Sequence, residues 1–142
     1  FLRGIGDPTT GLDRKEPALN QCTAGDLRDT TTPFAMARVL ARLVTEPVLS
    51  PASKAHLFGW MRGAKTGLGR IRPGVRNGWT VGDKTGTTNS AGNDVAVLWP
   101  RSGAPIVLAA YVAEAQASDG ERDAAIAGVA RSVVRTLRGY AG

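Results

Sequence analysis

The chain has 142 residues, 42% of them apolar and 21% charged, the balance of an ordinary folded domain and not that of a disordered or membrane-embedded chain. No apolar run approaches the roughly 20 residues that cross a bilayer, and Phe1-Leu2-Arg3-Gly4 is too short for a secretion signal. The 18 lysines and arginines against 12 acids give a net charge of +6, which suits an anionic partner, either a small substrate or a nucleic acid.

Residues 1–31 show little periodicity and many turn formers, among them Gly4, Gly6, Pro8, Gly11, Asp13, Pro17, Asn20 and Gly25. A long irregular loop of this kind inside a compact domain is usually functional. Cys22 is the only cysteine, which excludes an internal disulfide and a cysteine-built metal cluster and predicts a single buried thiol. Thr32-Pro33 is a helix start, and Met36, Val39, Leu40, Leu43 and Val44 follow at helical spacing, with a stop before Pro47. Ser50-Pro51 repeats the signal for a second helix that carries Leu57, Phe58, Trp60 and Met61 and ends near Gly63. His56 lies in that helix without acids or cysteines spaced for a metal, and Trp60, Trp79 and Trp99 read as core or rim aromatics.

A basic, glycine-rich stretch leads to three β-rich runs, Trp79 to Thr85, Asp94 to Trp99 and Ile106 to Val112, whose short links predict antiparallel neighbours. The last element opens with the capping-box pattern Ser118-Asp119-Gly120-Glu121 and carries an apolar stripe of Ile126, Val129, Ala130, Val133, Val134 and Leu137. Arg131, Arg135 and Arg138 fall on one face of it with no aromatics between them to stack bases, so the basic charge does not make a nucleic-acid surface. The expected fold is α+β: an antiparallel sheet of three strands with the C-terminal amphipathic helix packed on it, plus helices and an Ω-type loop. The chain divides into residues 1–76 (loop and helices) and 77–142 (strands and last helix).

Two groups of residues carry chemistry. In Val81-Gly82-Asp83-Lys84-Thr85-Gly86-Thr87 a strand delivers a cation and a hydroxyl and then turns to glycine, which admits a ligand close to the backbone. Thr85 and Thr87, two apart, share one face; the whole is an anion-binding strand edge. Lys65-Thr66-Gly67 repeats the tripeptide, but it follows a helix end and opens a loop, so Lys84 is the functional copy and Lys65 a surface residue. Glu16 and Asn20 are four apart, so one helical turn sets carboxylate beside amide, a pair able to hold a water and remove its proton. Taken alone, Glu16 reads better as a solvated acid in a surface loop.

The ordered set Arg14-x-Glu16-Pro17-x-Leu19-Asn20, Gly25-Asp26-Leu27-Arg28-Asp29-Thr30-Thr31-Thr32-Pro33 and Gly82-Asp83-Lys84-Thr85-Gly86 resembles the class A serine β-lactamases. The likeness runs from about Phe1 to Leu137, includes Arg70-Ile71-Arg72 and Asn93-Asp94-Val95-Ala96-Val97, and covers the later half of that family's β-lactamase/transpeptidase-like fold. The resemblance implies that Glu16 activates the deacylating water with Asn20 as its second holder, that the peptide before Pro17 is cis, and that Arg14 and Asp29 pair across the neck of the loop. It implies further that Lys84, Thr85 and the Thr87 hydroxyl meet the carboxylate of a β-lactam beside Gly86, while the Thr87 N–H is one of two oxyanion donors. Many relatives carry an arginine where this chain has Asn93, and Arg70 resembles the alternative arginine of other members. No metal and no cofactor are implied; the setting is periplasmic or secreted, the full enzyme monomeric, and neither nucleic acid nor membrane a partner.

Two of the family's three motifs, S-x-x-K and S-D-N, have no match. None of Lys15, Lys54, Lys65 and Lys84 has a serine three places earlier, and Ser118-Asp119-Gly120 ends in glycine at a helix start. The expectation is therefore a fragment that lacks the nucleophile, with the apolar faces of Met36, Leu40 and Leu43 unpartnered and an N-terminal half as a candidate partner. The alternatives are a penicillin-binding transpeptidase-like protein, for which the Glu16–Asn20 pair would have no use, and a non-catalytic binding or complementing piece.

Overall fold

The structure is a computed structural model, and it describes residues 1–137. Three helices, α1 (Pro33–Thr45), α2 (Pro51–Arg62) and α3 (Asp119–Thr136), surround three strands, β1 (Thr80–Thr87), β2 (Gly92–Trp99) and β3 (Ile106–Val112). Each helix begins where a side-chain oxygen satisfies a free backbone donor. Thr32 accepts from Ala35 N and Ser50 from Ser53 N, while Ser118 and Glu121 exchange both bonds of a capping box.

The strands form one antiparallel sheet in the order β1-β2-β3. The register sets Thr85 opposite Asp94, Gly86 opposite Asn93 and Thr87 opposite Gly92, so strand pairing continues past the predicted end at Thr85. Lys84 accordingly lies within β1 and not at its end. Alternation along the central strand feeds two layers. Ala96 and Leu98 pack with Ile71, Trp79, Ala110 and the α3 residues Ile126, Ala130 and Val134, whereas Val97 packs with Leu40, Phe58 and Met61 of α1 and α2. The sheet is thus held between α3 on one face and the two shorter helices on the other. Gly74 lets the chain approach α3: a Cβ there would stand 2.5 Å from Ala130 Cβ and 2.7 Å from both Ala127 O and Arg131 N.

Several expectations are corrected. Cys22 is exposed, because the loop that carries it runs over the surface and offers no apolar bed. Val129 of the α3 stripe is 48% exposed, since the sheet is too narrow to cover all of that face. Leu40 is buried with Phe58, Met61 and Val97 and Leu43 packs against that cluster, while all three of Met36, Leu40 and Leu43 also line an open apolar cavity. Trp79 is buried and Trp99 meets Phe58 edge-on at 5.6 Å, but Trp60 is largely exposed and stacks on His56 at 5.9 Å. Arg131 and Arg135 are solvated; Arg138 lies outside the described residues.

Candidate active site

Residues 13–29 form a closed loop whose neck is a cluster of charges. The Arg14 guanidinium pairs with Asp29, whose other oxygen accepts from Arg14 N at 3.0 Å and Asp13 N at 2.6 Å; Asp29 N returns a bond to Asp13 at 2.8 Å. The Arg14 contact, together with these amides, holds the Asp29 carboxyl below its ordinary pKa. Asp26 is held below the usual carboxylate range by Arg28, with Arg14 adding to it. The neck therefore remains charged and closed across the neutral range. Within the loop the Glu16–Pro17 peptide is cis, a short 3₁₀ turn spans Ala18–Asn20, and the Asn20 amide donates to the Glu16 carboxylate.

Across from the loop stands the edge of β1. Lys84 is exposed and its ammonium folds onto the Thr85 carbonyl. The Thr85 hydroxyl lies 2.9 Å from that of Thr66, and a Cβ on Gly67 would collide with Thr85 Cγ2 at 2.1 Å, so glycine in its left-handed conformation (φ +69°) is required there. The second Lys-Thr-Gly tripeptide thus buttresses the first, a relation its sequence does not announce; Lys65 itself stays on the surface.

Arg70 is 4% exposed and lies among the strand ends rather than in an open pocket. It donates to Asp123 at 2.6 Å, to the carbonyls of Gly86 and Asn93 at 3.0 and 2.8 Å, and to the Thr87 hydroxyl at 2.8 Å. With most of its five N–H donors engaged, Arg70 fixes Thr87. The accepted bond leaves the Thr87 hydroxyl hydrogen free to donate elsewhere. Nearby, Arg72 neutralises the fully buried Asp83 through Nε at 2.8 Å and also caps the Met61 carbonyl. Asp94, equally buried, accepts from Ile71 N at 3.1 Å and has no ion-pair partner among the described residues. Burial, reinforced by the Asp83 charge, pushes its carboxyl up to about 7.

Two cavities meet at this strand edge. One of about 290 Å³ is lined by Asn20 and Cys22 of the loop and by Gly86, Thr87 and Asn93 of the hairpin. The other, of about 580 Å³, has Lys84, Thr85 and Gly86 on one side and Met36, Leu43, Leu57 and Trp60 on the other. The structure therefore brings Asn20 together with Gly86 and Thr87, and brings Glu16 to them through Asn20; Glu16 lines neither cavity. Arg72, Asp94, Arg122 and Asp123 escaped sequence reasoning as working residues; the one available signal was a charge inside an otherwise apolar strand, at Asp94 in β2.

A cation and hydroxyls on an edge strand, backed by a buried arginine and bordered by a carboxylate–amide pair, thus gather on an α+β fold. The chain belongs to the β-lactamase enzyme family, whose sequence profile matches residues 1–137. It is 44% identical over 138 residues to a β-lactamase of Citrobacter koseri, with 96% of this chain and 47% of that protein aligned, and 44% identical over 138 residues, with the same coverage, to the Klebsiella oxytoca β-lactamase OXY-1. Among solved structures, a class A β-lactamase of the last common ancestor of Gram-negative bacteria (GNCA4) superposes with a TM-score of 0.93 at 52% identity, over 97% of this chain and 53% of that one. A putative class A β-lactamase, PenP, from Rhodopseudomonas palustris gives 0.91 at 46% identity, over 95% and 52%. The chain spans about half the length of the curated relatives it matches.

Proposed function

We propose that this chain is the deacylating and carboxylate-binding half of a class A serine β-lactamase. The observation that carries the reading is the Asn20 amide on the Glu16 carboxylate, with Asn20 lining the same cavity as Gly86 and Thr87. In this reading Lys84 and the hydroxyls of Thr85 and Thr87 hold the β-lactam carboxylate, and the Thr87 N–H donates to the developing oxyanion. Glu16, with Asn20, orients a water and takes its proton as that water attacks the acyl-serine ester; the ester C–O bond then breaks and the serine oxygen regains a proton. The serine, its lysine partner and the second oxyanion donor would come from the other half of the fold. Arg70 contributes by fixing Thr87. The substrate is a β-lactam and the complete enzyme a monomer of the periplasm or medium; the present residues divide at 76/77 into a loop-and-helix part and a sheet part.

Supporting a hydrolase over a penicillin-binding transpeptidase is the water-holding pair itself. The test is stoichiometric. The complete protein, mixed with benzylpenicillin, is expected to consume many equivalents; a single equivalent trapped as a stable adduct would favour the transpeptidase, and no reaction would remove both.

A further inference from the structure

Two buried arginines lie against the hairpin that joins β1 to β2. Arg70 reaches its strands, as described. The second, Arg122, sits in the first turn of α3 and is 4% exposed. Its Nη1 donates to the carbonyls of Asn89 at 3.2 Å and Ala117 at 2.6 Å, and its Nη2 donates to the Thr88 carbonyl at 3.4 Å and to the exposed Asp119 carboxylate. Gly92 separates the two arginines: a Cβ there would lie 3.5 Å from Arg122 Cβ and 3.6 Å from Arg70 Nη2.

Burying a guanidinium is costly. Arg122 Nε has no hydrogen-bond partner among the described residues, so the site is not built to satisfy the cation fully. What the cation does make is a set of bonds to the carbonyls that follow Thr87. Arg70 holds the carbonyl of Gly86, which belongs to the same rigid peptide unit as the Thr87 N–H and points opposite to it. Arg122 holds the two carbonyls beyond Thr87, those of Thr88 and Asn89. The Thr88 hydroxyl closes the turn by accepting from Ala91 N at 3.1 Å, and Thr88 N donates to Ala91 O at 2.9 Å. The backbone from Gly86 to Asn89 is thereby fixed on both sides of Thr87.

We propose that Arg122 is a positioning residue for the Thr87 N–H, acting with Arg70 as a clamp on the β1–β2 hairpin. The proposal rests on the reading of that N–H as an oxyanion donor. A donor held loosely loses much of its value, because displacement of about 1 Å can cost on the order of 100-fold in rate. Arg122→Lys and Arg122→Gln in the complete protein separate this role from a purely structural one. With a chromogenic cephalosporin, kcat is expected to fall on the order of 10- to 100-fold with KM within about 2-fold, the lysine variant lying closer to the parent. Amide exchange at Thr87, Thr88 and Asn89 is expected to quicken while the interiors of α3 and β3 are unchanged. A kcat within about 2-fold of the parent in the folded lysine variant, or exchange that quickens evenly through the molecule, would overturn the proposal. Should the parent itself turn over no β-lactam, the enzymatic reading fails, and the exchange pattern alone still decides whether Arg122 clamps the hairpin.

Discussion

Charged side chains at the site differ mainly in what surrounds them. Asp29, with an arginine and two amides, stays ionised; Asp94, buried with one amide and near a second carboxylate, is raised to about 7. An acid whose folded pKa lies above its unfolded value favours folding only in its neutral form, so stability is full below about pH 4 and declines as pH rises toward about 7, then levels off. Asp94→Asn is expected to abolish that slope, matching the parent near pH 5 within about 1 kcal/mol and exceeding it near pH 8 by on the order of 1–4 kcal/mol in urea melts of the complete protein. Equal slopes in parent and variant would show that Asp94 titrates normally. Residues joined by short spacings were legible: Glu16 with Asn20, and the Lys84–Thr87 edge, follow from strand and turn geometry. Arg70 was reached only through the family resemblance and Arg122 not at all, because their partners lie 16 to 53 and up to 34 positions away and a buried arginine looks like a surface one until the fold encloses it. The exposure of Cys22 was misjudged for the same reason.

Elements were easier to read than their ends. Thr32-Pro33, Ser50-Pro51 and Ser118 with Glu121 marked all three helix starts because capping is a local bargain between one side chain and one N–H. Ser118→Ala, which removes the bond that Glu121 N donates to the Ser118 hydroxyl and leaves the one from Ser118 N to the Glu121 carboxylate, is expected to cost about 1 kcal/mol of stability, read by thermal melting. The two extra residues at each side of the β1–β2 hairpin were missed, since pairing there is extended by register and by arginine contacts, not by β propensity. Close packing between the Arg72–Gly74 turn and α3 was also invisible in one dimension. Gly74→Ala must push a methyl into Ala130 and two backbone atoms, and a loss of about 1–3 kcal/mol or more is expected. Gly128→Ala within α3 meets nothing within 4 Å and is expected to be neutral or to stabilise by up to about 1 kcal/mol. If both alanine variants melted alike, the turn would not be packed as described.

At the scale of the molecule, the sheet is covered on both faces, yet a cavity of about 580 Å³ remains open beside Lys84, with walls that are mostly apolar. That opening, and the absence of S-x-x-K and S-D-N from these 142 residues, lead to a firm expectation for the chain by itself. It should hydrolyse a chromogenic cephalosporin no faster than buffer, since loss of the nucleophile alone can cost on the order of a million-fold in kcat; turnover that appears on adding an N-terminal half would show that the two parts assemble. The central claim, that Glu16 drives release of an acyl-enzyme, is tested most directly by intact-mass measurement on the complete protein carrying Glu16→Gln after mixing with benzylpenicillin. A covalent adduct of one β-lactam is expected to persist while the parent shows none at steady state. A Glu16→Gln protein that clears its adduct as quickly as the parent would contradict that claim.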